Sequence, residues 1–164
     1  MTGDYSIVRV DASRIDLMRR LNAMFGEVFG DPSSYCSAQP RREYLERLLR
    51  AETLVALAAV RGDDVVAGLT AYLLHKLEQE RTEVYLYDLA VRAEFRRQGI
   101  ATKLIETLWA EVAAFPVHVI FVQADHGDDP AVALYSKLGL KEEVLHFDLL
   151  RTRSSCTRGS QTDL

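Results

Sequence analysis

Two arginines, a glutamine and a glycine stand directly before an amphipathic helical pattern, in the stretch FRRQGIATKL at residues 95–104. The apolar positions of this pattern are Ile100, Leu104, Ile105, Leu108 and Val112. Their spacing puts Gly99 in the first turn of a helix, where backbone N–H groups lack intrahelical acceptors and the helix dipole favours negative charge. Glycine lets a ligand approach the main chain closely, and Arg96 and Arg97 add two full positive charges. The stretch therefore predicts a site for a phosphate or pyrophosphate group.

On this stretch alone, an ordinary strand-to-helix turn with solvated arginines is an equally good interpretation. Two better-known phosphate motifs do not fit it. A Walker loop requires an earlier glycine and a Lys-Ser or Lys-Thr pair after the last one, and the dinucleotide fingerprint requires three spaced glycines. The choice therefore depends on the rest of the chain.

Two segments of the chain carry a family resemblance. RRQGIA at residues 96–101 follows LAV at the end of a predicted strand, and it resembles the Q/R-x-x-G-x-G/A acetyl-CoA signature of the GNAT acetyltransferase superfamily. AVALYSKLG at residues 131–139 resembles the A-x-x-x-Y-x-K-x-G-F segment of the same superfamily. Two motifs in this order, separated by a helix and a strand, are much stronger evidence than either alone. The departures are mild, since Ala101 replaces a second glycine and Leu140 replaces a phenylalanine.

The resemblance implies acetyl-CoA as the cosubstrate. Backbone amides of residues 97–101 would hold its pyrophosphate, and the strand end at residues 89–91 would pair with pantetheine as an added β-strand does. The implied cofactor-binding residues are Leu89, Ala90, Val91, Arg96, Arg97, Gln98, Gly99, Ile100, Ala101 and Thr102.

Tyr135 is the candidate general acid. The superfamily places this tyrosine hydroxyl near the sulfur of CoA, which implies that it protonates the departing thiolate. The alternative is an aromatic ring that packs in the core from a short helix. No covalent nucleophile is expected, because G-x-S-x-G is absent and Cys36 has no His-Asp partner visible in the sequence. Direct attack by a neutral amine in a ternary complex is therefore favoured.

Three aspartates, Asp125, Asp128 and Asp129, lie close together in the loop QADHGDDPA at residues 123–131. One of them can cap the helix that Pro130 begins, and a solvated loop with such a cap is the alternative interpretation. Capping needs only one carboxylate. The others lie next to where the resemblance places the acetyl group, which suggests that carboxylates hold a polycationic acceptor.

Two further carboxylates, Glu83 and Asp88, belong to one predicted strand and are candidates for binding a substrate ammonium or taking its proton. On strict alternation Glu83 shares a face with Tyr85 and Tyr87, whereas Asp88 points to the other face. Both can face the acceptor only if a β-bulge intervenes, and members of the superfamily carry one here. The assignment between the two stays open at this point.

A closer resemblance covers roughly residues 25–148. The segments LAAV, AYLLHKLEQERTEVYLYDLAV, RRQGIATKLI and VQADHGDDPAVALYSKLGLKEEVLHFD resemble the aminoglycoside 3-N-acetyltransferases that inactivate gentamicin-type antibiotics. This implies a polycationic aminoglycoside bound by Glu83, Asp125, Asp128 and Asp129, with its 3-amino group on the deoxystreptamine ring aimed at the thioester. It also implies a homodimer and a role in antibiotic resistance. Because the reacting amine must lose its proton, activity should rise with pH.

Two alternatives remain. The first is a GNAT enzyme that acetylates polyamines, lysines or peptide N-termini, of which polyamines would use the same acidic residues. The second is a non-catalytic module that binds acetyl-CoA, and the retention of Tyr135 and of the acidic cluster argues against it.

The elements that must position these residues follow the order β-α-α-β-β-β-α-β-α-β. Strands are predicted at residues 5–10, 53–60, 65–74, 83–91, 117–124 and 142–150, and helices at residues 13–29, 42–50, 99–114 and 130–138. Asp11 and Ser13 are candidate caps of the first helix and Gly30 its stop. Hairpins mixed with βα crossovers predict an α/β fold, a mixed sheet with helices on both faces, of the GNAT type by resemblance.

Composition limits the remaining possibilities. The 164 residues, 48% hydrophobic, fit one domain, predicted at residues 1–150, and a frayed tail at residues 151–164. The net charge of −4 does not favour non-specific binding of nucleic acid or anionic lipid. No membrane span or leader is recognisable, and two cysteines are too few for a disulfide framework, so a cytoplasmic location is expected. The four histidines have no ligand spacing, so no metal is expected.

Overall fold

A computed structural model describes residues 5–150 of the chain, which divide into two compact units between Asp128 and Asp129. The helices of the first unit are α1 Ile15–Phe29, α2 Pro32–Tyr35, α3 Arg42–Leu49 and α4 Ile100–Glu111. Its strands are β1 Ser6–Arg9, β2 Leu54–Arg61, β3 Asp64–His75, β4 Thr82–Val91 and β5 Val117–Val122. The second unit contains α5 Asp129–Leu138. The single domain of residues 1–150 stays a prediction, and the predicted tail lies outside the described residues.

The five strands form one mixed sheet in the order β1-β2-β3-β4-β5. Strands β1 to β4 pair with one another in antiparallel fashion, and β5, which follows the crossover helix α4, is parallel to β4. One core cluster lies between the sheet and α4, and the other between the sheet and helices α1 and α3. The predicted mixed sheet with helices on both faces is confirmed.

A β-bulge interrupts the pairing of β3 with β4. Thr70 is opposite Asp88 and Ala71 is opposite Leu86, so Tyr87 has no partner of its own. Leu86 is buried in the cluster beneath α4, whereas Thr70, whose hydroxyl bonds to Asp88, points to the opposite face. The extra residue therefore puts Tyr87 and Asp88 on the same face of the sheet.

The pairing of β4 with β5 stops before β4 ends. The last pair is Leu86 with Val122, although β4 continues to Val91. Among the described residues, β3 is the only strand that pairs with residues 88–91. One edge of β4 is therefore left open from the bulge onward.

Three local features differ from the sequence predictions. The final strand predicted at residues 142–150 is wrong, because the structure gives these residues no strand. Their alternation supplies strand propensity, but a strand also needs a neighbour for its ladder hydrogen bonds.

Neither Asp11 nor Ser13 caps α1, since Asp11 instead accepts hydrogen bonds from Ser13 in a turn before it. The four-residue α2 was not predicted.

The predicted end of α1 is confirmed. Gly30 ends α1 in the left-handed conformation, with φ of 67°, as its position predicted. None of the helices between residues 5 and 150 is both long and apolar enough to cross a membrane.

Candidate active site

The turn before α4 adopts an unusual backbone conformation. Arg97 has φ of 63° and Gly99 has φ of 79°, so two of three consecutive residues are left-handed. Within the described part of the chain, no backbone N–H group of residues 97–101 donates to a backbone or side-chain acceptor, and only the side-chain amide of Gln98 does so, to the carbonyl oxygen of Glu94 at 3.2 Å. Successive free amides at a helix start form a concave anion site, and this is where the sequence predicted one.

The two arginines of the turn keep their positive charge free of protein carboxylates. Arg96 donates from Nε to the carbonyl oxygen of Val91 at 3.0 Å, which joins the turn to the end of β4. Over residues 5–150, neither Arg96 nor Arg97 forms a salt bridge, and both are exposed. An anion bound at the open amides would therefore meet uncompensated positive charge.

The predicted pantetheine strand is the open part of β4. Leu89, Ala90 and Val91 pair with Leu69, Gly68 and Ala67 of β3 on one edge, and no described strand covers the other edge. An extended chain of amides can add to such an edge as a further strand. The turn residues and this edge are contiguous through the Arg96–Val91 hydrogen bond, so the structure brings the two halves of the predicted cofactor site together.

The uncovered edge of β4 beyond its last pair with β5 is called the β4–β5 opening. Asp88 lies two residues beyond that pair, at the base of this opening. Its Oδ1 accepts a hydrogen bond from the Tyr35 hydroxyl at 2.7 Å, and its Oδ2 accepts one from the Thr70 hydroxyl at 2.6 Å. No lysine, arginine or histidine among residues 5–150 pairs with this carboxylate. Asp88 is thus a half-buried negative charge without a protein cation.

Burial and the adjacent Asp88 carboxylate raise the pKa of Tyr35 well above its usual value, so its hydroxyl stays protonated and donates. Sequence reasoning missed Tyr35 and Thr70. They stand 53 and 18 positions from Asp88, and nothing local to either residue indicates the contact.

A cluster of aromatic rings lies near Asp88 on this face. The ring of Tyr87 meets those of Tyr72 and Tyr85 edge to face, at centroid distances of 5.7 and 5.5 Å. Tyr85 stacks on Phe121 of β5 at 4.9 Å. Tyr72 and Tyr87 are 41% and 59% exposed, so both offer ring surface to a ligand. Burial and then Asp88 raise the pKa of Tyr72, which therefore stays neutral.

Glu83 lies on the same face of the sheet as Asp88, but nearer the start of β4. Its Oε1 lies 3.4 Å from Nζ of Lys76 and 3.8 Å from Nε2 of His118. Five positions along β4 separate the two carboxylates, which is about 15 Å at the usual rise per residue. The β-bulge puts both carboxylates on one face of the sheet, as the sequence analysis required. They nevertheless lie too far apart along β4 to act on the same substrate nitrogen atom.

The remaining predicted residues fall on either side of the division between the units. Asp125 and Asp128 are exposed in the turn after β5, where the amide of Asp128 donates to the carbonyl of Asp125 at 3.2 Å. Asp129 is the first residue of α5, and Tyr135 is a partly buried residue of the same helix. Their roles stay predictions. Over the described residues, no three His, Cys, Asp or Glu side chains cluster as metal ligands would.

A mixed sheet in which β4 continues past the end of its parallel neighbour β5, beside a basic helix start with free amides, is the arrangement that the resemblance predicted for an acetyl-CoA-dependent acetyltransferase. The model of the Acetyltransferase (GNAT) family matches residues 16–140. The chain belongs to the GNAT acetyltransferase family, whose members use acetyl-CoA.

Several solved structures are similar to this chain. The aminoglycoside acetyltransferase HMB0005, from an uncultured soil metagenomic sample, is 48% identical, with a TM-score of 0.88 over 91% of this chain and 99% of that one. The aminoglycoside acetyltransferase meta-AAC0020, also from an uncultured soil sample and solved with sisomicin, is 29% identical, with a TM-score of 0.81 over 90% and 97%.

AAC(6')-Iy, solved with the bisubstrate analogue CoA-S-monomethyl-acetylneamine, is 16% identical with a TM-score of 0.70 over 92% and 100% of the two chains. At that identity the likeness shows the fold alone. No curated protein sequence gives a significant match.

Proposed function

We propose that this protein transfers the acetyl group of acetyl-CoA to the 3-amino group of the deoxystreptamine ring of gentamicin-type aminoglycosides. The observation that carries the proposal is the 48% identity, over almost the whole of both chains, to an aminoglycoside acetyltransferase. The 3-amino position rests on the segment resemblance described above. Acetylation removes an ammonium charge from the antibiotic, which is how such an enzyme would confer resistance.

The cofactor half of the proposal uses the turn and the open strand edge. Acetyl-CoA supplies its acetyl group as a thioester, which an uncharged amine can attack directly. The free amides of residues 97–101, with Arg96 and Arg97, would bind the pyrophosphate. The edge of residues 89–91 would hold the pantetheine amides and aim the thioester at the base of the opening, where Asp88 lies.

The acceptor half of the proposal centres on Asp88. Its charge has no protein cation, so it can hold a substrate ammonium, and it can take the proton of the attacking amine directly or through water. We assign this role to Asp88 rather than to Glu83, because Glu83 already has a cation within the protein, Lys76, whereas Asp88 has none among the described residues. In the balanced reaction the amine loses one proton, the amide bond forms, and the proton reaches the thiolate as the C–S bond breaks.

Other residues would complete the acceptor site. The rings of Tyr72 and Tyr87 can pack against the apolar face of an amino sugar or against its ammonium groups. Glu83, Asp125, Asp128 and Asp129 would add negative charge for the outer ammonium groups, and Tyr135 would protonate the thiolate. We also propose a cytoplasmic location, which the low cysteine content favours, and a homodimer, which the resemblance to 3-N-acetyltransferases supports.

The test is turnover with a panel of acceptors at constant acetyl-CoA. Release of the CoA thiol is followed with gentamicin, sisomicin, spermidine and a peptide with a free N-terminus, and the products are mapped by mass spectrometry and NMR. The proposal expects one acetyl group on the 3-amino nitrogen of gentamicin and strong loss of turnover in Asp88→Asn. Turnover confined to spermidine or to the peptide, or binding of acetyl-CoA without turnover, contradicts it.

A further inference from the structure

The two hydrogen bonds to Asp88 come from two different elements of the fold. Tyr35 belongs to α2 and Thr70 to the bulged part of β3. A carboxylate oxygen has about two acceptor positions. Because each oxygen of Asp88 receives one hydroxyl, each keeps one position for a ligand. The carboxylate is therefore fixed in rotation while both of its oxygens remain able to accept from a substrate.

The chain builds α2 in a way that brings Tyr35 to this position. Asp31 precedes the helix, and its Oδ1 accepts from the amide of Ser34 at 3.1 Å. The helix lies against Gly26 of α1, where an added Cβ would stand 3.2 Å from Cβ of Tyr35 and 2.9 Å from Sγ of Cys36. A side chain larger than hydrogen at Gly26 would push α2 away, so glycine permits the close approach that lets Tyr35 reach Asp88.

Thr70 supplies the second donor from the other side. Its side chain is buried, with 8% of its surface exposed, so its hydroxyl needs a partner within the protein. The bulge places Asp88 directly opposite it. The donor to Oδ2 is therefore set by the register of the sheet, and the donor to Oδ1 by the packing of α2.

We infer that Tyr35 and Thr70 are positioning residues for acetyl transfer, which hold the Asp88 carboxylate toward the substrate amine at the base of the β4–β5 opening. This inference rests on the proposed function. It assigns α2, which the sequence analysis did not predict, to the acceptor site. It also gives the bulge a chemical purpose, because the bulge brings Asp88 to the face on which both hydroxyls lie.

A purely structural role for Tyr35 is the competing explanation. Its ring packs against Phe25 at 5.9 Å and Phe29 at 5.7 Å, and this packing alone would justify an aromatic residue. The two roles differ in what the hydroxyl does. Tyr35→Phe keeps the ring and removes the donor, so packing survives and positioning does not.

The experiment compares four variants with the wild-type protein. Tyr35→Phe and Thr70→Val each remove one hydroxyl from Asp88, and Thr70→Ser removes a methyl group but keeps the hydroxyl. Tyr5→Phe is the matched control, because Tyr5 packs against the core on the opposite face of the sheet. For each protein, kcat and KM for gentamicin, KM for acetyl-CoA and the melting temperature are measured.

The inference expects kcat/KM for gentamicin to fall by about tenfold in Tyr35→Phe and in Thr70→Val, the usual effect of losing one hydrogen bond to a charged group. The KM for acetyl-CoA and the melting temperature should change little, the latter by less than about 4 °C. Thr70→Ser should retain most of the activity, and Tyr5→Phe all of it.

A second comparison separates positioning from general damage. In an Asp88→Asn background, Tyr35→Phe should lower the residual kcat/KM by less than about twofold, because the residue it acts through is already lost. An equal fall in both backgrounds overturns the inference, as does unchanged activity in Tyr35→Phe and Thr70→Val. Absence of gentamicin turnover in the wild-type protein overturns the proposed function as well, so the two failures are distinguishable.

Discussion

Replacing Gly99 with alanine tests whether the turn before α4 binds the cofactor. Gly99 has φ of 79°, and an added Cβ would meet no atom within 4 Å. The substitution therefore introduces no clash, and its whole effect comes from holding an L-residue in the left-handed region. That conformation costs an L-residue about 1–2 kcal/mol relative to glycine.

The cost is expected to appear in cofactor binding. In the free variant the turn can relax to relieve the strain, and the amides of residues 97–101 then no longer point to one pyrophosphate group. Binding of acetyl-CoA must restore the strained conformation, which costs binding free energy. At about 1.4 kcal/mol per tenfold, the dissociation constant of acetyl-CoA should rise by about five- to thirtyfold. The stability of the free protein should fall by no more than about 2 kcal/mol.

Gly62→Ala is the matched control for this prediction. Gly62, in the turn between β2 and β3, has φ of 59° and also has no atom within 4 Å of an added Cβ. It should therefore lose a similar amount of stability. Titration calorimetry with acetyl-CoA should give a wild-type dissociation constant for Gly62→Ala and a raised one for Gly99→Ala. Equal constants for the two variants would refute the assignment of the turn.

Three further predictions concern charge, packing and pH. Arg97→Gln should weaken acetyl-CoA binding by about fivefold at low salt and less at high salt, because the arginine attracts the pyrophosphate and salt screens that attraction; calorimetry at two ionic strengths checks this. Leu104→Ala should lower the free energy of unfolding by about 2–5 kcal/mol in urea denaturation, because Leu104 is fully buried beneath the sheet. Because the pKa of Tyr35 is raised in the folded protein, its hydroxyl ionises first in the unfolded state, near pH 10. Tyr35 therefore stabilises the fold below that pH, and this contribution is progressively lost as the pH rises above it. The melting temperature of the wild type should therefore fall more steeply above pH 10 than that of Tyr35→Phe.

The parts of the site that sequence could predict are those whose signal is local. The turn at residues 95–104 combines a helix pattern, a glycine and two arginines within ten positions, and the structure places the free amides there. The mixed sheet likewise follows from strand and helix patterns read in order. Strand alternation is also a local signal. It predicted that Glu83 and Asp88 can share a face only if a β-bulge intervenes, and the structure contains a bulge between them.

The parts that sequence could not predict depend on pairing between distant residues. Tyr35 reaches Asp88 across 53 positions, and only the packing of α2 on α1 brings them together. The ion pair of Lys76 with Glu83 requires knowledge of the β3–β4 register. The strand predicted at residues 142–150 was wrong for a related reason, because alternation describes a segment and not the neighbour that must pair with it.

The most direct test of the account is a crystal structure of the protein with CoA and gentamicin bound together. The account predicts the pyrophosphate on the amides of residues 97–101, the pantetheine along residues 89–91, and the 3-amino nitrogen between the CoA sulfur and the Asp88 carboxylate, with Tyr35 and Thr70 still bonded to it. A pyrophosphate bound elsewhere, or a gentamicin whose 3-amino group points away from Asp88, would contradict it.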